Sequence, residues 1–190
     1  MWPWGHAAVG YLVCSLWLRS RDGHVPTAGV VLPLALGTQF PDLIDKPLSW
    51  TFGVLPSGRA GAHSLLVAVP LLAFLWWRLD GPTGRHAWAG FALGYLVHLV
   101  TDGVYSLVDG EFAELSYLLW PALSLPSYDE SPSIVAHFLA ADITPYLLTE
   151  LLLFGAATLL WAVDGTPGLW AVGRWCKRRA DGATRALSSR

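Results

Sequence analysis

Residues 143–163 read ITPYLLTELLLFGAATLLWAV, with Glu150 the only charge in the run. A helix of this length and composition is long enough to cross a hydrocarbon core of about 30 Å. Working back along the chain, apolar runs also occupy residues 86–108, 62–79, 27–40 and 5–18. The two nearest the N-terminus are only about 14 residues each, shorter than the roughly 20 that a span needs. Five membrane-embedded helices are the expectation, with the first two the shortest. The expected fold is therefore an all-α, polytopic membrane bundle of about five transmembrane or membrane-embedded helices. It comprises one domain over residues 1–170 and a basic tail over 171–190.

Composition agrees. The 190 residues are 54% hydrophobic and 14% charged, against about 25% charged in an ordinary soluble domain. Eleven Trp and six Tyr supply the amphipathic rings that favour membrane–water interfaces. The net charge of −2 leaves no basic face for nucleic acid. Cys14 and Cys176 are not spaced for a disulfide framework or a thiolate metal site. Residues 1–18 carry no Lys or Arg, and Arg19 and Arg21 follow them. That order is the reverse of a secretory signal peptide, so the first run is expected to be retained, with the N-terminus outside.

The basic residues test this topology. Arg19, Arg21, Arg78, Arg85, Arg174, Lys177, Arg178, Arg179, Arg185 and Arg190 fall on the side predicted to be cytoplasmic; only Lys46 and Arg59 fall outside. Ten of the twelve basic residues on one side is the pattern of the positive-inside rule. The protein is accordingly expected in the inner or plasma membrane, crossing it several times, with its C-terminus cytoplasmic. The tail from Gly173 is expected to help orient the chain, to contact anionic lipid, or to be disordered. The outside loop, about 109–142, carries Asp109, Glu111, Glu114, Asp129, Glu130 and Asp142 without Lys or Arg. Its SPSIVAHFLAAD stretch predicts a short helix capped by Ser131 or Ser133.

The same topology sorts the histidines. His6, His63, His98 and His137 belong to the outer half, together with Asp42, Asp45 and Asp102; His24 and His86 do not. His98 and Asp102, four residues apart, share a helix face. Ionisable groups within apolar helices are costly and usually face partners or a water-filled cavity. Imidazole nitrogen with carboxylate oxygen, and no Cys, suits Zn, Mn or Fe. One ion, or two bridged by Asp42, Asp45 and Asp102, fits these residues. Glu150 is a candidate ligand, ligand support or proton acceptor, and Arg59 a candidate for binding an anionic oxygen. The structural alternative is a set of polar contacts between packed helices. Gly90 and Gly94 form a GxxxG pattern, which predicts close helix packing.

Gly5-His6, Pro41-Asp42 with Asp45, His63-Ser64-Leu65-Leu66, Gly94-Tyr95 with His98 and Asp102, and Trp120-Pro121 occur in this order. In that combination, over about residues 1–125, the chain resembles the membrane-bound metal-dependent hydrolases of the YdjM/YbcI kind. The chain departs from the family pattern twice. Its carboxylates are three residues apart, with Lys46 where a His often follows, and Gly58-Arg59-Ala60-Gly61-Ala62-His63 lacks the first His of the family's element. The resemblance implies a divalent metal, Zn, Mn or Fe, held by His6, Asp42, Asp45, His63, His98 and Asp102. It implies hydrolysis of a phosphoester or similar bond in a small-molecule or lipid substrate taken from the membrane. Asp45 or Glu150 would accept the proton and Arg59 would stabilise negative charge. The alternative is an integral membrane protein that binds metal structurally or not at all.

Overall fold

The computed structural model describes residues 1–127, 133–139 and 142–188, and the regular structure among them is entirely helical. In chain order the helices are α1 (Pro3–Asp22), α2 (Ala28–Gly37), α3 (Phe40–Lys46), α4 (Leu65–Arg78), α5 (Gly81–Asp109), α6 (Ile134–Leu139), α7 (Pro145–Val163) and α8 (Leu169–Ser188). Local chemistry sets their ends. Prolines lie in the first turns of α1, α3, α5 and α7, where the missing N–H costs nothing. The Ser64 and Thr144 side chains cap α4 and α7, accepting from Leu66 N and Leu147 N, each at 3.1 Å. The Ser133 hydroxyl accepts from Ala136 N at 3.1 Å and so caps α6, one of the two caps expected there. Ser131, Asp129, Glu130 and Arg190 lie outside the described residues.

Helices α2 and α5 form the centre and run in parallel. A side chain at Gly90 would strike the carbonyl of Val30, and one at Gly94 the carbonyl of Leu34. The GxxxG pattern therefore does what it predicts, letting two backbones approach without intervening side chains. This contact sets the register that brings Thr38 opposite His98. Helix α1 crosses both and lies alongside α7 in the same direction. Trp2 N donates to Glu150 near one end, while Tyr11 and Ser15 donate to Asp164 near the other. Helix α4 returns against α5, burying Ala68 and Leu72 beside Phe91, Ala92, Tyr95 and Leu99.

The bundle thus has two unlike ends. His6, Thr38, His63, His98, Asp102 and Glu150 lie towards one, Arg19, Arg78, Arg85 and Asp164 towards the other. At the second end the Tyr11 and Ser15 hydroxyls each donate to Asp164 Oδ2 at 2.6 Å, and Arg19 pairs with Oδ1. Burial pushes the Asp164 carboxyl up, but the hydrogen bonds from Ser15, Tyr11 and Arg19 outweigh it and leave it lowered.

Among the described residues two helices, α5 and α7, are long and apolar enough to cross a membrane. Helix α7 turns Leu148, Leu151, Leu152, Phe154 and Leu159 outward, an apolar surface that suits lipid. The expected five spans are not all matched by helix length. With 10 and 14 residues, α2 and α4 reach only about 15 and 21 Å at 1.5 Å per residue. Helix α2 stops early because the chain bends at Thr38–Gln39 and begins α3 at Phe40, which delivers Asp42 and Asp45 to the bundle.

Two outcomes follow from this packing. Gly94→Val should lower stability by about 1–3 kcal/mol or more, the cost of overpacking. Gly155→Ala on α7, where an added Cβ meets nothing within 4 Å, should be neutral or stabilising by up to about 1 kcal/mol. Thermal melting in detergent, followed by circular dichroism, compares them. A depressed Asp164 pKa means its contribution to stability is present above the ordinary value of 3.8 and is lost as pH falls through the folded value. Asp164→Asn should therefore be less stable than wild type near neutral pH and lose less on acidification, as read by melting temperature across pH.

Candidate metal centre

Four side chains from three places converge. Asp42 comes from α3, His63 from the 3-10 turn Gly61–His63, and His98 and Asp102 from successive turns of α5. One ligand atom from each lies within 4.8 Å of the other three, and all four residues are buried. His63 Nε2 stands 3.1 Å from His98 Nε2, 3.5 Å from Asp42 Oδ1 and 3.4 Å from Asp102 Oδ2. His98 Nε2 is 3.8 Å from each of the same two oxygens. Ligand bonds of about 2.0–2.2 Å around a tetrahedral ion place neighbouring ligand atoms roughly 3.3–3.6 Å apart. The observed edges bracket that value.

Hydrogen bonds behind the cluster fix which nitrogen faces inward. His63 Nδ1 lies 2.8 Å from Asp45 Oδ2, and His98 Nδ1 lies 2.8 Å from the carbonyl of Thr38. Both partners are acceptors, so each Nδ1 carries a ring proton and each Nε2 is the atom turned to the cluster. The two Nε2 atoms, 3.1 Å apart, share a proton when His63 is charged; when both are neutral their lone pairs repel, and a metal cation between them and the carboxylates satisfies all four. Asp42 Oδ1 adds to this: it is buried and has no hydrogen-bond partner, which is costly for a carboxylate oxygen. The residues present therefore fit a divalent metal ion.

The other oxygens of the two carboxylates are occupied. Lys46 Nζ, one helical turn from Asp42, sits 2.6 Å from its Oδ2. Burial pushes the Asp42 carboxyl up, but His63, Lys46 and His98 outweigh it and hold it well below the usual carboxylate range. Asp102 Oδ1 receives the Met1 amino group at 2.9 Å and lies 3.2 Å from His6 Nε2. Arg59 Nε approaches Asp102 Oδ2 at 3.6 Å, and its Nη1 lies 3.9 Å from Glu114 Oε2.

Of the remaining candidates, His6 stacks on the His98 ring at 3.9 Å between centroids, with Nδ1 2.7 Å from Thr101 Oγ1. It stands behind Asp102, outside the four-residue cluster. Asp45 accepts from Ala62 N, His63 N and His63 Nδ1, and so holds the turn that carries His63. Glu150 accepts from Trp2 N at 2.9 Å and Tyr105 OH at 3.1 Å, joining α7 to α1 and α5. The side chain of His137 lies outside the description.

Three contributors were not among the sequence candidates. The Thr38 carbonyl is a backbone group and leaves no signal in side-chain types. Glu114 was visible only as one acid in an acidic loop. Tyr95 donates to the carbonyl of Ala62 at 2.5 Å, fixing the turn from behind; its place in Gly94-Tyr95 was the available signal.

A family model for the YdjM inner membrane protein matches residues 1–172. The chain belongs to that family. No curated protein and no solved structure matches it. Family membership and the two apolar helices agree on a membrane protein, and the four-residue cluster lies within the matched region.

Asp45→Asn should keep the four ligand atoms but lose the orienting charge behind His63. Metal affinity should fall by roughly 10–100-fold with the stoichiometry unchanged. Competition against a chelating dye in detergent measures both.

Proposed function

We propose that this protein is a membrane-bound metal-dependent hydrolase that cleaves phosphoester bonds in small or lipid-like substrates. The observation that carries this reading is the convergence of two imidazole Nε2 atoms and two carboxylate oxygens at tetrahedral spacing, with both Nδ1 atoms tied to acceptors. Asp42, His63, His98 and Asp102 are the holding residues. Zn, Mn and Fe all suit this donor set. Because Lys46 engages the second oxygen of Asp42, that carboxylate offers a single atom inward, which favours one ion over two.

A divalent ion held by these four residues would supply Lewis acidity and would lower the pKa of a water molecule towards about 7. The chain supplies the rest. Asp45 keeps His63 in the correct tautomer, and Thr38 does so for His98. Arg59, 28% exposed, neutralises a phosphoryl oxygen from the rim of the site. Glu114, 35% exposed and beside Arg59, is better placed to exchange a proton with solvent than Asp45 or Glu150, which are buried and fully engaged. In this reading the His/Asp end faces the outside and the Arg-rich end the cytoplasm, with a multi-pass arrangement that follows the positive-inside distribution of charge. Substrate then approaches from the outer leaflet.

One observation favours a second reading. Four protein ligands complete a tetrahedron, as in structural zinc sites, whereas catalytic sites commonly leave a position for water. The two readings separate on hydrolysis. Detergent-purified wild type should contain about one transition-metal ion per chain, and His98→Ala and Asp102→Ala should lose it. Loaded wild type should hydrolyse a chromogenic phosphodiester or a phospholipid, and Arg59→Met should lower that rate by roughly 10²-fold, the usual scale for losing a charge-stabilising donor. Bound metal without hydrolysis of either probe would leave the structural reading standing. No metal after reconstitution with Zn, Mn or Fe would remove both.

A further inference from the structure

We propose that α8 is an in-plane helix that binds anionic phospholipid at the Arg-rich end of the bundle. This inference stands apart from the metal centre and does not depend on it.

The geometry begins with α7. Its 19 residues rise about 28 Å, close to the thickness of a hydrocarbon core. The five residues that follow therefore emerge at headgroup level. They form a tight turn in which Gly165, Thr166 and Gly168 all have positive φ. The turn is fastened to the bundle: Trp161 Nε1 donates to the carbonyl of Pro167 at 3.0 Å, and Gly168 packs close against Leu32. Helix α8 thus starts from a fixed point at the membrane surface.

Its sequence then divides by face. Val172, Cys176 and Ala180 recur every four residues on one side, flanked by Leu169 and Trp175. Arg174, Lys177, Arg178 and Asp181 occupy the other, with Trp170 among them, while Arg179 stands between Trp175 and Val172. Leu169, Val172 and Trp175 are all exposed, so nothing among the described residues covers the apolar side. Arg179 lies over the Trp175 ring, 5.4 Å from its centroid, an arrangement that keeps the charge near the headgroups while the ring enters the interface. Across residues 169–181 there are four basic residues and one acidic.

A helix with this division cannot cross the membrane, because its basic face would enter hydrocarbon. In water it would leave Leu169, Val172 and Trp175 uncovered. Lying in the interface satisfies both faces, and the excess of positive charge selects anionic lipid over zwitterionic. The Trp residues match the preference of that ring for the membrane–water boundary.

The chain carries its own reporter. Cys176 is exposed on the apolar face, whereas Cys14 is buried in α1. Full-length Cys14→Ala protein would be placed in nanodiscs of phosphatidylcholine alone, or of phosphatidylcholine with one-third phosphatidylglycerol. Labelling of Cys176 by a water-soluble maleimide would be timed in each. Phosphatidylglycerol should slow labelling by about tenfold at low salt, and salt should reverse the effect as it screens the surface charge. The triple variant Arg174→Gln, Lys177→Gln, Arg178→Gln touches only exposed side chains and should label at the same fast rate in both lipids. Equal rates for wild type in the two lipids would overturn the proposal. So would slow labelling in both lipids that persists in the triple variant, since that would place the apolar face against protein, including a second copy of the chain.

Discussion

Charge buried in an apolar bundle must be balanced where it lies, and this constraint organises the molecule. Asp42, Asp45, His63, His98 and Asp102 are all buried, in a chain whose surface is largely apolar. Isolated ions there would cost several kcal/mol each. The fold answers with local pairing. Lys46 rises from the same helix as Asp42, backbone N–H groups of Ala62 and His63 converge on Asp45, and His6 backs Asp102. The inward-facing atoms of His63, His98, Asp42 and Asp102 are the ones this pairing leaves for a cation.

The close contact of α2 with α5 makes that arrangement possible. Without side chains at Gly90 and Gly94, the α2 backbone lies directly on α5, and the carbonyl of Thr38 reaches His98 Nδ1. A larger spacing would separate them and free the ring to rotate. The short length of α2 belongs to the same design: the chain turns after Thr38 so that α3 carries Asp42 back over α5. A helix extended to full membrane thickness would take Asp42 away from His98.

Much of this was legible in the sequence. Helices α5 and α7 followed from long, mainly apolar runs, and the pairing of His98 with Asp102 from a spacing of four. The convergence of Asp42 and His63 with them followed from placing apolar runs end to end and asking which residues share a side. Less visible was the division of labour among the acids. Asp42 and Asp45 are three residues apart on one short helix, yet one faces the cluster and the other holds the His63 turn. That difference arises from the backbone N–H groups of Ala62 and His63, which carry no side-chain signature. Lys46 was readable as a departure from the family pattern, but its contact with Asp42 required the helix of α3, whose seven residues are too few to show a period.

Lys46 also bears on how the centre works. Where a second imidazole would recruit a second metal, an ammonium instead places a fixed positive charge on the outer oxygen of Asp42. Electrostatically the two solutions are related: each offsets carboxylate charge that a single divalent ion would leave uncompensated. Chemically they differ, because an ammonium donates hydrogen bonds but has no coordination site to offer a water or a substrate. Under the proposed phosphoester chemistry, the charge that a second ion would present must come from elsewhere, and Arg59, paired with Asp102 on one side and Glu114 on the other, is the cation proposed to supply it. Arg59 also offsets the charge of buried Asp102 as Lys46 offsets that of Asp42, so both cations have a structural part in the centre.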